Sequence, residues 1–189
     1  SNSDAPNIVG YHFDGSNWSS ANAGGDYSWF TFPGGITSGV SVISLSGSDL
    51  YVGGTFTDVG GNTQADRIAR WDGSSWHDVG GGLNGRVNAV KISGSKIYAG
   101  GSFTDAGGNG DADKIAYFDG TSWQPLGSGL NDTVNAIEVF GSTVYLGGAF
   151  TDAGGDTDAD YIAMWDGASF SDVGGSLNDE VIALALDGS

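Results

Sequence analysis

Apolar and polar positions along this chain fall into short runs rather than helical stripes. From Val87 the sequence reads VNAVKIS, and KIYAGGSF follows from Lys96 after a Gly-Ser turn; KIAYFD then begins at Lys114 and SWQPL at Ser122. Each run is apolar or alternates with a period of two and is bounded by turn residues, the pattern of short strands. A ten-residue loop rich in Gly and Asp, starting at Thr104, divides the second run from the third. A short DGTS turn joins the third to the fourth as a hairpin. No segment sustains a helical period, so an all-β fold is predicted.

The same pattern recurs. A shift of 47 residues superposes Tyr51, Tyr98 and Tyr145, then Phe56, Phe103 and Phe150, then Ile68, Ile115 and Ile162, without a gap. The units are 40–86, 87–133 and 134–180. Four antiparallel strands in a unit of this length is the arithmetic of a β-propeller blade. The first run of a unit is apolar at both parities (Val87, Ala89, Val90, Ile92), which predicts that both faces are covered by neighbouring units.

The two ends make a split unit. Residues 8–39 match a third and fourth strand, 181–189 match a first strand, and a second strand has no counterpart; the chain thus holds about four blade equivalents in one propeller domain or part of one. Further blades in a longer native chain, or a second copy in a homodimer, are expected to complete the ring, in preference to a four-bladed closure of the chain on itself. Within the split unit, FDGSNW places Trp18 correctly after Asp14, whereas SWFTFPGGITSGV places Trp29 correctly before Val40. An 11-residue insertion therefore lies in this hairpin, and one Trp is expected to leave the core.

The motifs that carry these strands resemble a kelch-like blade. Gly53-Gly54, Gly100-Gly101 and Gly147-Gly148 close the second strand; Trp71, Phe118 or Trp165 sits on the third, and Trp76, Trp123 or Phe170 opens the fourth. The pattern GGxFT followed by IAxWDGxxW is similar to repeats of secreted bacterial surface proteins and fungal cortical marker proteins. The five-residue spacing of the aromatics and the second Gly pair, Gly107-Gly108, set it apart from ordinary kelch blades. The resemblance implies a propeller scaffold and an extracellular or cell-surface location.

Charge narrows the functions. The net charge is −17, from 21 Asp and 2 Glu against 6 Lys plus Arg, so the field repels nucleic acid and anionic membrane surfaces and favours cations or basic partners. The absence of Cys removes disulfides and thiol chemistry, and no apolar run is long enough for membrane insertion. Catalysis is not expected. His12 and His77 are unrepeated, no GxSxG nucleophile turn stands out, and the Gly pairs lack the Lys of a phosphate loop. The repeated Asp72, Asp119 and Asp166 open tight Asp-Gly hairpins, where a carboxylate accepting backbone N–H bonds is the ordinary role.

Candidate binding residues lie in the loops. In an antiparallel four-stranded unit the long loop and the connection to the next unit share one face, which would then carry 12 of the 23 acidic residues. Two readings stand for Asp105, Asp111 and Asp113, and for Asp152, Asp156, Asp158 and Asp160. The first is Asx-type turns with surplus solvated charge. The second is a calcium site, which needs six to eight oxygens; no metal or other cofactor is required by the first. Asp156 is followed by neither the Gly nor the Glu of an EF-hand loop. Asp132, Asp179, Glu180 and Trp18 are the candidates for contact with a protein or glycan partner. The function expected is a non-catalytic extracellular interaction or adhesion module; a carbohydrate-binding propeller and a fragment of a larger propeller enzyme are the alternatives.

Overall fold

A computed structural model of the chain describes residues 11–13, 18–20, 35–36, 38–175 and 177–187. Two short strands, β1 (Tyr11–Phe13) and β2 (Trp18–Ser20), pair as a hairpin near the N-terminus. Three four-stranded antiparallel sheets follow, each built from strands in sequence order. The first contains β3 (Val40–Ser46), β4 (Asp49–Gly54), β5 (Ile68–Trp71) and β6 (Trp76–Asp78). The second contains β7 (Val87–Ser93), β8 (Lys96–Gly101), β9 (Ile115–Phe118) and β10 (Trp123–Pro125). The third contains β11 (Val134–Phe140), β12 (Thr143–Gly148), β13 (Ile162–Trp165) and β14 (Phe170–Ser171). Pro125 lies on an edge strand, where its missing N–H breaks no ladder.

The Gly doublets explain how the sheets stack. A Cβ on Gly53, Gly100 or Gly147 would come within 2.6, 2.6 and 2.4 Å of a Val Cγ1, on Val87, Val134 and Val181 respectively. A Cβ on the following Gly54, Gly101 or Gly148 would come within 2.1, 1.9 and 2.1 Å of the carbonyl oxygen of Gly39, Arg86 or Thr133. The first Gly of each pair admits the next unit and the second admits its own unit's incoming chain. Segment 181–187 follows this rule: Val181 N–H donates to Gly148 O at 3.0 Å, and Val181 and Leu184 sit against Gly147. It occupies the place of a next first strand.

Between the sheets run apolar layers. Phe56, Phe103 and Phe150 are buried completely, at the start of each long loop, with Ile68 and Ile115 beside them in the fully buried set. Burying one such side chain contributes about 1.5–3 kcal/mol. Every first strand carries a bulge at the same place, between Val40 and Val42, Val87 and Ala89, and Val134 and Ala136. The residues the bulge frees make side-chain bonds, Asn88 Nδ2 donating to Asn135 Oδ1 of the next unit at 3.1 Å and Ser41 Oγ accepting from Arg86 Nε, at the end of its own unit, at 3.2 Å. Lys91 and Glu138 add an ion pair at 2.6 Å between β7 and β11.

Two expectations need correction. The double-faced burial predicted for first strands holds for β7 and β11, but β3 alternates, with Ser41, Ile43 and Leu45 exposed. No sheet in the described residues covers that face of β3. The second and fourth strands are also shorter than the apolar runs, ending at Gly101 and Pro125 in the middle unit. Residues 21–34 of the split unit, Trp29 included, lie outside the described residues.

Candidate functional site

Each long loop leaves its second strand beyond the Gly doublet and returns through a residue with positive φ: Arg67 (65°), Lys114 (63°) or Tyr161 (63°). Two-sided backbone bonds hold that residue. Its N–H donates to Phe56, Phe103 or Phe150 O, and its carbonyl accepts from Gly54, Gly101 or Gly148 N–H, all at 2.9–3.0 Å. In the first and third loops a short 3-10 turn follows Asp58 and Asp152, both themselves left-handed. Asp66 Oδ1 accepts from Asp58 N–H at 2.9 Å and Asp160 Oδ1 from Asp152 N–H at 2.8 Å. These carboxylates brace the loop from inside.

Asp156 has an equally local role. Its Oδ1 accepts from Asp158 N–H at 3.1 Å, just as Asn62 Oδ1 accepts from Gln64 N–H at 3.0 Å and Asn109 Oδ1 from Asp111 N–H at 3.1 Å. A neutral amide serves the same turn in two units, so the turn does not need the charge. Asp156 Oδ2 also accepts from Asp172 N–H at 3.3 Å. The middle loop is built differently. Asp105 Oδ1 accepts from Gly108 N–H at 2.6 Å, and Asp113 Oδ1 is buried without a hydrogen bond. Asp111 and Asp158 point to solvent, flanking the buried Ala112 and Ala159. Among the described residues, no group of three or more His, Asp or Glu side chains is arranged to hold a metal ion.

Hydrogen bonds join the long loops to the connections between units. Leu83, Leu130 and Leu177 N–H donate to Asp66, Asp113 and Asp160 O at 3.1, 3.3 and 3.4 Å. Asn84 and Asn131 then clasp Thr104 and Thr151 of the next unit, each through two bonds of 2.9–3.1 Å. Both kinds of loop thus form one band along one edge of the three sheets. Asp132 and Asp179 on that band are exposed, each accepting from the following N–H. Glu180 accepts from Asn135 Nδ2 at 2.7 Å. Trp18 stands at the start of β2 opposite Phe13, the register that Phe118 and Trp123 share; its side chain lies outside the described residues.

The Asp-Gly hairpins lie in the turns between third and fourth strands. Asp72, Asp119 and Asp166 Oδ1 each accept two backbone N–H bonds from the turn at 2.8–2.9 Å. Those bonds hold the Asp119 and Asp166 carboxyls below the usual carboxylate range. The His77 ring, 2.7 Å away, depresses Asp72 further. His77 and the Ser74 hydroxyl, which donates to Asp72 Oδ1 at 2.8 Å, both serve the turn.

Sequence reasoning passed over the cleft between the first and second sheets. It encloses about 350 Å³ beside Tyr51, Arg70, Asp78 and Phe118. Arg70 pairs with Asp49 at 3.1 Å, and burial pushes the Tyr51 phenol up while Arg70 partly opposes it. Tyr117 and Met164 hold the Arg70 position elsewhere, so an unrepeated Arg in a repeated slot was the signal to follow.

No family model matches this chain, and no curated protein matches it. Among solved structures it is similar to the computationally designed Ika4 protein, with a TM-score of 0.53 and 18% identity over 85% of this chain and 87% of that one. The computationally designed Ika8 protein gives a TM-score of 0.47 at 19% identity, over 78% of this chain and 40% of that one. At such identities the likeness to Ika4 shows the fold alone: all-β, with three antiparallel four-stranded sheets.

Proposed function

We propose that this chain is a non-catalytic interaction module of the extracellular or cell-surface kind, built as a kelch-like propeller and presenting its acidic loop band to a basic partner. One observation carries the reading. The band joins long and connecting loops through repeated bonds, yet Asp111, Asp132, Asp158 and Asp179 remain solvent-facing on it. A net charge of −17 makes the approach of a cationic surface favourable at long range. The braced carboxylates hold the loops, and the exposed ones are left for contact.

The test is binding of immobilised chain to a panel of Lys- and Arg-rich peptides, run beside a glycan array. Saturable binding that weakens with salt, and falls about tenfold when Asp111, Asp132, Asp158 and Asp179 are changed to Asn, is expected. A glycan signal with no peptide binding would replace this reading by the carbohydrate-binding one.

A further inference from the structure

The same repeat position is buried at the internal joints and bare at the ends. Val90 and Ile137, which turn toward the preceding sheet, are 7% and 6% exposed, whereas their counterpart Ile43 is 50% exposed and its neighbour Leu45 72%. On the opposite side, Val79 and Leu126 are 3% and 0% exposed and Leu83 and Leu130 4% and 7%, because a following unit covers them. Their counterparts in the third unit, Val173 and Leu177, stand at 40% and 46%. The row of sheets therefore ends in two apolar faces, and these are the two halves of one joint that the chain already makes twice.

The contacts at the internal joints define what each bare face lacks. Trp123 Nε1 donates to Val79 O at 3.0 Å, and a Cβ on Gly80 would meet the rings of Phe118 and Trp123. The same position in the third unit, Val173-Gly174, needs a third-and-fourth-strand hairpin with that aromatic pair. Hairpin β1–β2 has it, in the matching register of Phe13 opposite Trp18. Segment 181–187 is already seated on β12 in the place of a following first strand, and its Ala183 and Ala185 are exposed. Ile43 and Leu45 of β3 are the groups that pack on such a strand.

We infer that a second copy of this chain covers both faces, head to tail. Hairpin β1–β2 and the Ile43–Leu45 face of one copy seat on Val173, Leu177 and segment 181–187 of the other. Within one chain the two faces stand at opposite ends of a row of three sheets, so neither covers the other. Two copies satisfy all four faces and leave no open end, as a heterologous joint must if it closes. The inference does not depend on what the loop band binds.

Light scattering on the 189-residue chain tests it. The expected mass is twice 19.2 kDa. Ile43→Glu with Leu45→Glu on one face, or Val173→Glu with Leu177→Glu on the other, should each yield monomers with unchanged far-UV circular dichroism. Mixing the two monomeric variants should restore the doubled mass, because one joint pairs two unaltered faces. Should charge prevent folding, Ser at the same positions serves the same mixing test. A wild-type mass of one copy, a mass other than two copies, or a mixture that stays monomeric overturns the proposal.

Discussion

Asp119 and Asp166 show how single residues govern the turns. Their carboxylates hold two backbone N–H groups each, which lowers their pKa relative to the unfolded chain. A carboxyl depressed by folding contributes stability above its unfolded pKa and loses that contribution as pH falls through the folded one. Melting temperature should therefore drop as pH falls below about 4, where unfolded Asp takes up protons. Asp119→Asn with Asp166→Asn should flatten that drop, read by thermal denaturation against pH. The Gly doublet makes a sterner demand. Gly101→Ala sets a Cβ against a backbone oxygen at 1.9 Å and should cost about 1–3 kcal/mol in urea unfolding. Gly110→Ala, with open space around it, should be within about 0.5 kcal/mol of wild type.

At the scale of the element, each long loop is an internally bonded unit that anchors a sheet edge through one Phe. Phe103 is buried at the joint of the second strand and its loop, so Phe103→Ala should cost about 3–5 kcal/mol, with the loss read as a lowered denaturation midpoint. The third loop gives a contrasting expectation. Asn62 and Asn109 make the turn that Asp156 makes, so Asp156→Asn should cost no more than about 1 kcal/mol, from the lost bond to Asp172 N–H. Titrating metal-stripped protein with calcium should likewise give neither heat nor a melting shift, since calcium takes six to eight oxygens and the Asp156 and Asp160 carboxylates are already turned to backbone N–H groups. A melting shift at millimolar calcium would support the metal reading of Asp152, Asp156, Asp158 and Asp160. The strands themselves were legible from alternation and turn residues. The 3-10 turns at Val59–Gly61 and Ala153–Gly155 were not, because Asp-x-Gly-Gly sequences fit many turn geometries and the bond from Asp66 or Asp160 selects one.

At the scale of the whole molecule, the units differ in what surrounds them more than in how they fold. The third unit contains the same core positions as the second, yet its Val173 and Leu177 are half bare. Exposed apolar faces on a chain this acidic favour a partner that matches shape first and charge second. Charge is concentrated elsewhere, on the loop band, so assembly and partner binding should respond differently to salt. The doubled mass expected of the wild-type chain should persist at high salt, because apolar burial is not screened, while binding of basic peptides should fall away.

The sequence by itself determined the strands and the short hairpin turns, because these depend on neighbours within a few residues: alternation sets a strand face, Asp before Gly sets a hairpin, and a Gly pair sets a close approach. Only the tertiary structure decided which apolar faces are covered. Ile43 and Val90 read alike in the sequence, and one is bare while the other is buried because a sheet precedes β7 and none of the described sheets covers β3. The bulge that turns Asn88 and Asn135 toward one another, and the division of the loop carboxylates into braces and free charge, were settled in the same way. Each depends on where a distant backbone group comes to lie, and packing alone fixes that.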